Sequence, residues 1–198
     1  MQLFVARCKA DYASVMAALP ACALARFERR TQSASAARSA AAELLVRKAL
    51  PEGHFDVTFA RDGKPHAPDL PSFHFNVSHS GELVAAVVDD APVGVDVQHV
   101  GTASPDVGRR YFHPDERQRV GDGWSFHALW ALKESYVKQT GRGLATRLSS
   151  FLVTEALDVL IDGTRQPVHL RSYYLENHVL AVCATKPVIV TPRHVVLP

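Results

Sequence analysis

No stretch constrains this chain more than FHALWALKESYVKQTGRGL, residues 126–144. Phe126, Leu129, Trp130, Tyr136 and Val137 recur at helical spacing, and Gly141 and Gly143 stop the pattern, which predicts a helix over about 125–139. At about 100° per residue, Lys133 falls in the middle of the apolar stripe, while Glu134 and Lys138 share its edge one turn apart. An ordinary surface helix keeps lysine off its buried face. Two readings stay open: Lys133 snorkels along Leu129 and Tyr136 beside a simple i,i+4 pair, or this face borders a polar cleft as well as the core.

The rest of the composition narrows the class. At 198 residues, with 47% hydrophobic and 21% charged residues, the chain is long enough to bury a real core as one domain or two small halves. A formal charge of +2 gives no argument for nucleic acid. Its distribution is uneven: Arg26, Arg29, Arg30, Arg38, Arg47 and Lys48 crowd one early segment, which suits an anionic ligand or an acidic partner, or is a solvated helical face. Cys8, Cys22 and Cys183 are scattered with no CxxC, so they read as free or buried thiols in a reducing cytosol. Arg7, Lys9 and Asp11 interrupt any signal-peptide core, and no apolar run approaches bilayer length. The expectation is a soluble cytoplasmic protein without a membrane or nucleic-acid partner.

Residues 2–7 read as an opening strand, and an Ala-rich helix runs from about 35 to 50, closed by Pro51 and Gly53. A short strand at 55–60, a turn at Asp62-Gly63 and a loop with Pro65, Pro68 and Pro71 follow. Strand-like runs at 73–78, 83–89 and 92–98 precede a candidate linker at Gly101–Pro105. Then come a helix at 105–119, the helix of the opening motif, and strands near 150–153, 167–175 and 179–185. Each part mixes helices with antiparallel-looking strands, so the fold class is α+β, with two similar α/β halves at 1–101 and 102–198.

Three segments carry chemistry. In Val93–Gln98 the valines face one way, and Asp96 and Gln98 share the other face about 6.5–7 Å apart. A carboxylate and an amide oxygen placed so can meet a hard cation such as Mg²⁺, or form an exposed strand face. In Phe73–Gly81 the aromatic side opposes His74, Asn76 and Ser78, and the Ser-His-Ser-Gly end gathers hydroxyls, N–H groups and an imidazole that suit phosphate; His79 as a cap and a hydrolytic Ser-His pair are the alternatives. Lys64, between Gly63 and Pro65, puts a cation on a stiffened loop, for a phosphate or an adenine edge or as a plain surface turn.

In one order, the chain carries GKP (63–65), FNVSHSG (75–81), VGVDVQ (93–98), RRYFHPDE (109–116) and WALKESYVK (130–138). This ordered set resembles the 4′-phosphopantetheinyl transferases of the larger, monomeric Sfp type, and the WxxKExxxK element is its most specific member. The resemblance implies two pseudo-symmetric α/β halves with coenzyme A in the cleft between them. It implies Mg²⁺-dependent transfer of the phosphopantetheine arm to a serine of an apo acyl or peptidyl carrier protein, releasing 3′,5′-adenosine diphosphate.

Carried over by residue, Asp96 and Glu134 match the carboxylate metal ligands, and Glu134 also the general base. Lys138 matches the group that stabilises the pyrophosphate or protonates the leaving group, and Lys133 a residue lining the substrate cleft. Ser78 and His79 match the phosphate-contacting pair, Lys64 and Pro65 the coenzyme-contacting loop, Arg26 and Arg38 the basic residues around the 3′-phosphate, and Glu116 the acidic residue after the RxFF-like element, a further metal candidate. The chain departs from the pattern at Gln98, where the family usually has Glu, and at Ala23, where the first basic residue falls; Arg26, Arg29 and Arg30 stand nearby. Two rivals follow from these residues. One is a non-catalytic coenzyme A or nucleotide-binding relative, kept open by Gln98. The other is a metal-dependent hydrolase using His74, His79 and Asp96, which leaves WALKESYVK unexplained.

Overall fold

Two antiparallel strands have every residue buried, β5 (Leu83–Asp89) and β11 (His178–Ala184), and each therefore needs a covering layer on both faces. The computed structural model, which describes residues 1–8, 12–28, 33–49, 56–59, 64–101, 105–121, 123–143 and 146–197, supplies four layers. β5 lies between β1 (Gln2–Arg7) and β4 (His74–Ser80) in a sheet whose far edge is β12 (Arg193–His194), ordered β12-β1-β5-β4. β11 lies between β10 (His169–Leu175) and β6 (Val93–His99) in a second sheet.

Period-2 alternation sorts the core. One face of the first sheet, with Phe4, Phe75, Val84 and Ala86, packs under helices α1 (Tyr12–Ala17), α2 (Ala21–Glu28) and α3 (Ala34–Arg47). The opposite face, with Leu3, Val5, Ala85 and Val87, meets Val93, Val95, Val97, Leu180 and Val182 of the second sheet. The far side of that sheet, with Val179, Ala181 and Cys183, lies under α5 (Gly123–Thr140), which contributes Phe126, Leu129, Leu132, Tyr136 and Val137. Each large α5 side chain buried there is worth roughly 1.5–3 kcal/mol. The helix stops at Gly141, whose φ of 71° is the left-handed cap that only glycine adopts without cost.

The predicted helices over 35–50 and 125–139 and the strands at 2–7, 73–78, 83–89, 92–98, 167–175 and 179–185 all form, within a few residues of their expected bounds. The predicted helix at 105–119 does not run through. It stops as α4 (Pro105–Tyr111), and a 3₁₀ turn spans Pro114–Arg119, because Pro114 forces His113 into extended backbone (ψ 144°). Of the predicted strand at 55–60, β2 (Thr58–Phe59) pairs with β3 (Pro65–His66). The expected turn at Asp62-Gly63, the closing residues Pro51 and Gly53 and most of the expected linker lie outside the described residues. The small sheet of β7 (Leu152–Val153), β8 (Val159–Ile161) and β9 (Thr164–Arg165) adds two strands that periodicity did not predict. Among the described residues no helix is long and apolar enough to cross a membrane.

Candidate active site

β4 and β6 are the facing edges of the two sheets, and side chains join them where backbone pairing would otherwise run. Asn76 Oδ1 accepts the Val95 N–H at 2.9 Å, Ser78 Oγ that of Val97 at 3.2 Å, and Ser80 Oγ that of His99 at 2.9 Å. The polar face of β4 thus satisfies edge donors of β6 that would be costly to bury unpaired.

Ser78 does more than its neighbours. Its hydroxyl donates to Asp96 Oδ1 at 3.0 Å and receives the Lys138 ammonium at 3.1 Å, so all its hydrogen-bonding capacity is spent on this junction. Asp96 is 3% exposed and turns toward α5 because β6 alternates its valines inward. Lys138 Nζ sits 2.6 Å from Asp96 Oδ1, and Gln98 Nε2 donates to Asp96 Oδ2 at 2.6 Å. Glu134 lies one turn before Lys138 on the same helix edge. Burial and the negative charge of Asp96 push its carboxyl above the usual range, and Lys138 opposes them. Asp96, Glu134 and Lys138 are therefore brought together.

Two cavities meet at this point, since Lys138 lines both. One, about 550 Å³, runs between α3 and β4 past Phe27, Val46, Pro65, Ser78, His79 and Gln98. The other, about 930 Å³, is walled by Arg110, Tyr111, Trp130, Glu134, Arg147 and Leu148. His79 faces α3, with Nε2 3.5 Å from Ser39 Oγ; burial, then the charges of Arg38 and Lys138, hold its pKa below the ordinary histidine value. Strand alternation thus puts Ser78 and His79 on opposite faces of β4. Arg38 belongs to α3, and its buried Nε has no hydrogen-bond partner among the described residues. The side chain of Arg26 lies outside the described residues, and Ala23, at 0% exposure, is a core residue of α2.

Five expected site residues are placed differently. Lys133 does not line a cleft: it is fully buried, donating at 2.6 Å to Glu116 Oε1 and at 2.6 Å to the Phe151 carbonyl. Glu116, also at 0% exposure, accepts the N–H groups of Val153 and His113 besides, so both its oxygens are hydrogen-bonded away from Asp96. Lys64 turns its ammonium onto the carbonyls of Val93, Lys138 and Gln139. Gln98 presents its amide N–H, not its oxygen, to Asp96. His74 opens onto a separate cavity of about 350 Å³ with Pro92 and Thr140, apart from Asp96. Arg110, Tyr111, Arg147 and Leu148 wall the larger cavity without a local sequence pattern that marks them as walls. The sequence signals of that cavity are Glu134 and Lys138 on the helix edge and partly buried Trp130 at the margin of the helical stripe.

The donor set suits a hard divalent cation in part. Two carboxylates, Asp96 and Glu134, repel each other across a gap that Lys138 only partly neutralises, and Mg²⁺ takes one or two carboxylates plus phosphate oxygens. No cluster of three His, Cys, Asp or Glu side chains gathers among the described residues, so the remaining ligands would come from substrate and water.

Residues 92–183, which carry β6, α5 and β11, match the model of the 4′-phosphopantetheinyl transferase superfamily. The chain is 34% identical over 170 residues to the 4′-phosphopantetheinyl transferase psf-1 of Bacillus pumilus, covering 77% of this chain and 72% of that protein. It is 33% identical over 167 residues to the 4′-phosphopantetheinyl transferase ffp of Bacillus subtilis, covering 76% and 75%. A further 4′-phosphopantetheinyl transferase of Bacillus subtilis is 37% identical over 142 residues, of which this chain spans 61% of the length. The matched stretch holds both strands and the helix that bring Asp96 to Lys138, and the chain belongs to the 4′-phosphopantetheinyl transferase superfamily.

Proposed function

We propose that this chain transfers the 4′-phosphopantetheine arm of coenzyme A to a serine hydroxyl of an apo acyl or peptidyl carrier protein, releasing 3′,5′-adenosine diphosphate. The observation that carries the reading is the Lys138 ammonium, shared by two cavities and seated 2.6 Å from Asp96. The nucleotide enters the cavity between α3 and β4, which His79 lines and where the charge of Arg38 reaches that imidazole. The uncharged arm enters the wider one along Tyr111, Trp130 and Leu148, which leaves the pyrophosphate at Lys138.

The serine oxygen attacks the β-phosphorus, a new P–O bond forms and the bridging P–O bond breaks, and the electron pair leaves with the adenosine diphosphate. Glu134, made more basic by burial and Asp96, accepts the serine proton. Lys138 neutralises the charge that grows on the leaving phosphate. Asp96 and Glu134 would hold Mg²⁺, which, when bound, supplies further neutralisation of the pyrophosphate. The halves 1–101 and 102–198 would form the two sides of the cleft, the protein acting as a cytoplasmic monomer; the free thiols of Cys8 and Cys183 support a reducing compartment.

The test is incubation of purified protein with coenzyme A, Mg²⁺ and several apo carriers, read by mass spectrometry. The expected result is a carrier heavier by one phosphopantetheine. Unmodified carriers beside folded, coenzyme-binding protein would establish the binding-only relative instead.

A further inference from the structure

The catalytic candidates stand on two elements, Asp96 on β6 and Glu134 and Lys138 on α5, so the gap between these elements sets the site. That gap is unusually small. A Cβ built on Gly94 would lie 2.1 Å from the Ser135 carbonyl oxygen and 2.4 Å from the Gln139 nitrogen. All of these atoms are backbone, so no flexible side chain can yield. Ser135 follows Glu134 and Gln139 follows Lys138, so the contact is made beside both functional residues.

A second device holds the same place. Lys64 Nζ donates to the carbonyls of Val93 at 3.2 Å, Lys138 at 2.8 Å and Gln139 at 3.1 Å. Two of these acceptors belong to the last turn of α5, where carbonyls lack intrahelical partners and the helix dipole favours a cation. The third is the residue preceding Gly94. Gln139 Nε2 adds a longer link to the Pro92 carbonyl at 3.4 Å.

We infer that Lys64 and Gly94 are positioning residues that clasp the end of α5 onto β6 and so hold Lys138 and Glu134 against Asp96. In this role Lys64 acts through backbone carbonyls, two at the end of α5 and one at the start of β6. Removing the ammonium frees the last turn of α5, and adding a methyl at Gly94 drives the helix away from Asp96. Displacements of about 1 Å at a reacting centre cost on the order of 100-fold in rate.

The kinetic part of this inference rests on the transferase reading, so the test carries arms that do not. Lys64→Met, Lys64→Arg and Gly94→Ala are compared with the wild type in carrier modification, coenzyme A calorimetry and amide hydrogen exchange. Lys64→Met is expected to lower kcat on the order of 10- to 100-fold. The KM and Kd for coenzyme A should stay within about threefold, and amides 137–140 should exchange about tenfold faster. Lys64→Arg, which keeps donors for the carbonyls, restores part of the rate. A coenzyme A Kd weakened tenfold or more with kcat retained would make Lys64 a direct ligand and overturn the inference; so would unchanged exchange in Lys64→Met. Gly94→Ala should show the same loss of kcat, and if it does not fold, the Lys64 variants decide. A wild type inactive on every carrier ends the transferase reading, while exchange and calorimetry still decide the clasp.

Discussion

Lys133 Nζ lies 2.6 Å from Glu116 Oε1, and neither side chain has any exposure to solvent. The ammonium also rests 4.1 Å from the centre of the Phe151 ring, so it ties α5 to the 3₁₀ turn and to the entry of β7. Breaking such a pair from one side leaves an uncompensated buried charge. Glu116→Leu, which also orphans the Val153 and His113 N–H groups, should lower stability by about 3–5 kcal/mol. The double variant Glu116→Leu/Lys133→Met should regain part of that loss. Urea melts of the three proteins check it, and equal stability of the single and double variants would contradict the buried pair.

The same lysine makes stability depend on pH. Burial holds the Lys133 pKa at about 8, below its ordinary 10.5, against the pull of Glu116. The unfolded chain therefore binds more protons here than the native one between these two values, and stability contributed at this site rises with pH across about 8 to 10.5. Denaturant melts at pH 8 and pH 10 should show the wild type gaining relative to Lys133→Met/Glu116→Gln. A flat difference would place the ammonium in a solvated setting.

Glu134 sets a limit in the acid range. Its carboxyl is raised first by burial and then by Asp96, and it accepts a proton only when ionised, so turnover should fall as pH drops through a value above the ordinary glutamate range. Asp96→Asn removes the second cause and should move the acid limb of the residual activity downward. Glu134→Gln should remain folded and lose on the order of 10²–10⁴-fold in kcat. An unmoved acid limb in Asp96→Asn would show that the carboxylates do not sense each other.

Asn76 and Ser78 make matching bonds to β6 with different consequences. Each accepts a buried backbone N–H, so Asn76→Ala and Ser78→Ala should each cost about 1–3 kcal/mol. Only Ser78 also touches Asp96 and Lys138, so only Ser78→Ala should lower kcat per folded molecule. Parallel melts and rate measurements separate the two effects.

Much of this arrangement was legible from periodicity. Alternation placed Asn76 and Ser78 on one side of a strand and Asp96 opposite three valines, and helical spacing exposed Lys133 as a charge in an apolar stripe. What local pattern could not show is what those faces meet. The Val95, Val97 and His99 N–H groups reach β4 only because β6 lies beside it in space, and Glu116 reaches Lys133 across 17 residues of chain. The Lys64 ammonium, which the sequence places on a stiffened loop, is captured by carbonyls 74 and 75 residues away. Short helices α1 and α2 leave no legible signal in the sequence because six and eight residues hold too few turns for a clear period.

Gln98 is the position where a single change most directly probes the metal. Its amide donates to Asp96 Oδ2 at 2.6 Å, a bond that lends Asp96 a neutral donor and adds no charge. Gln98→Glu replaces that donor with a third carboxylate near Asp96 and Glu134. Without Mg²⁺ the added repulsion should lower Tm, because Lys138 already shares its charge between the two existing carboxylates. With Mg²⁺ the sign reverses, since a hard cation gains an anionic oxygen, and the Kd for Mg²⁺ should fall by on the order of tenfold, about 1.4 kcal/mol. Calorimetric titration of Mg²⁺ into both proteins, with coenzyme A present, reads this directly. An unchanged Mg²⁺ affinity together with a lowered Tm would keep residue 98 outside the ligand shell and leave Asp96 and Glu134 as its protein carboxylates.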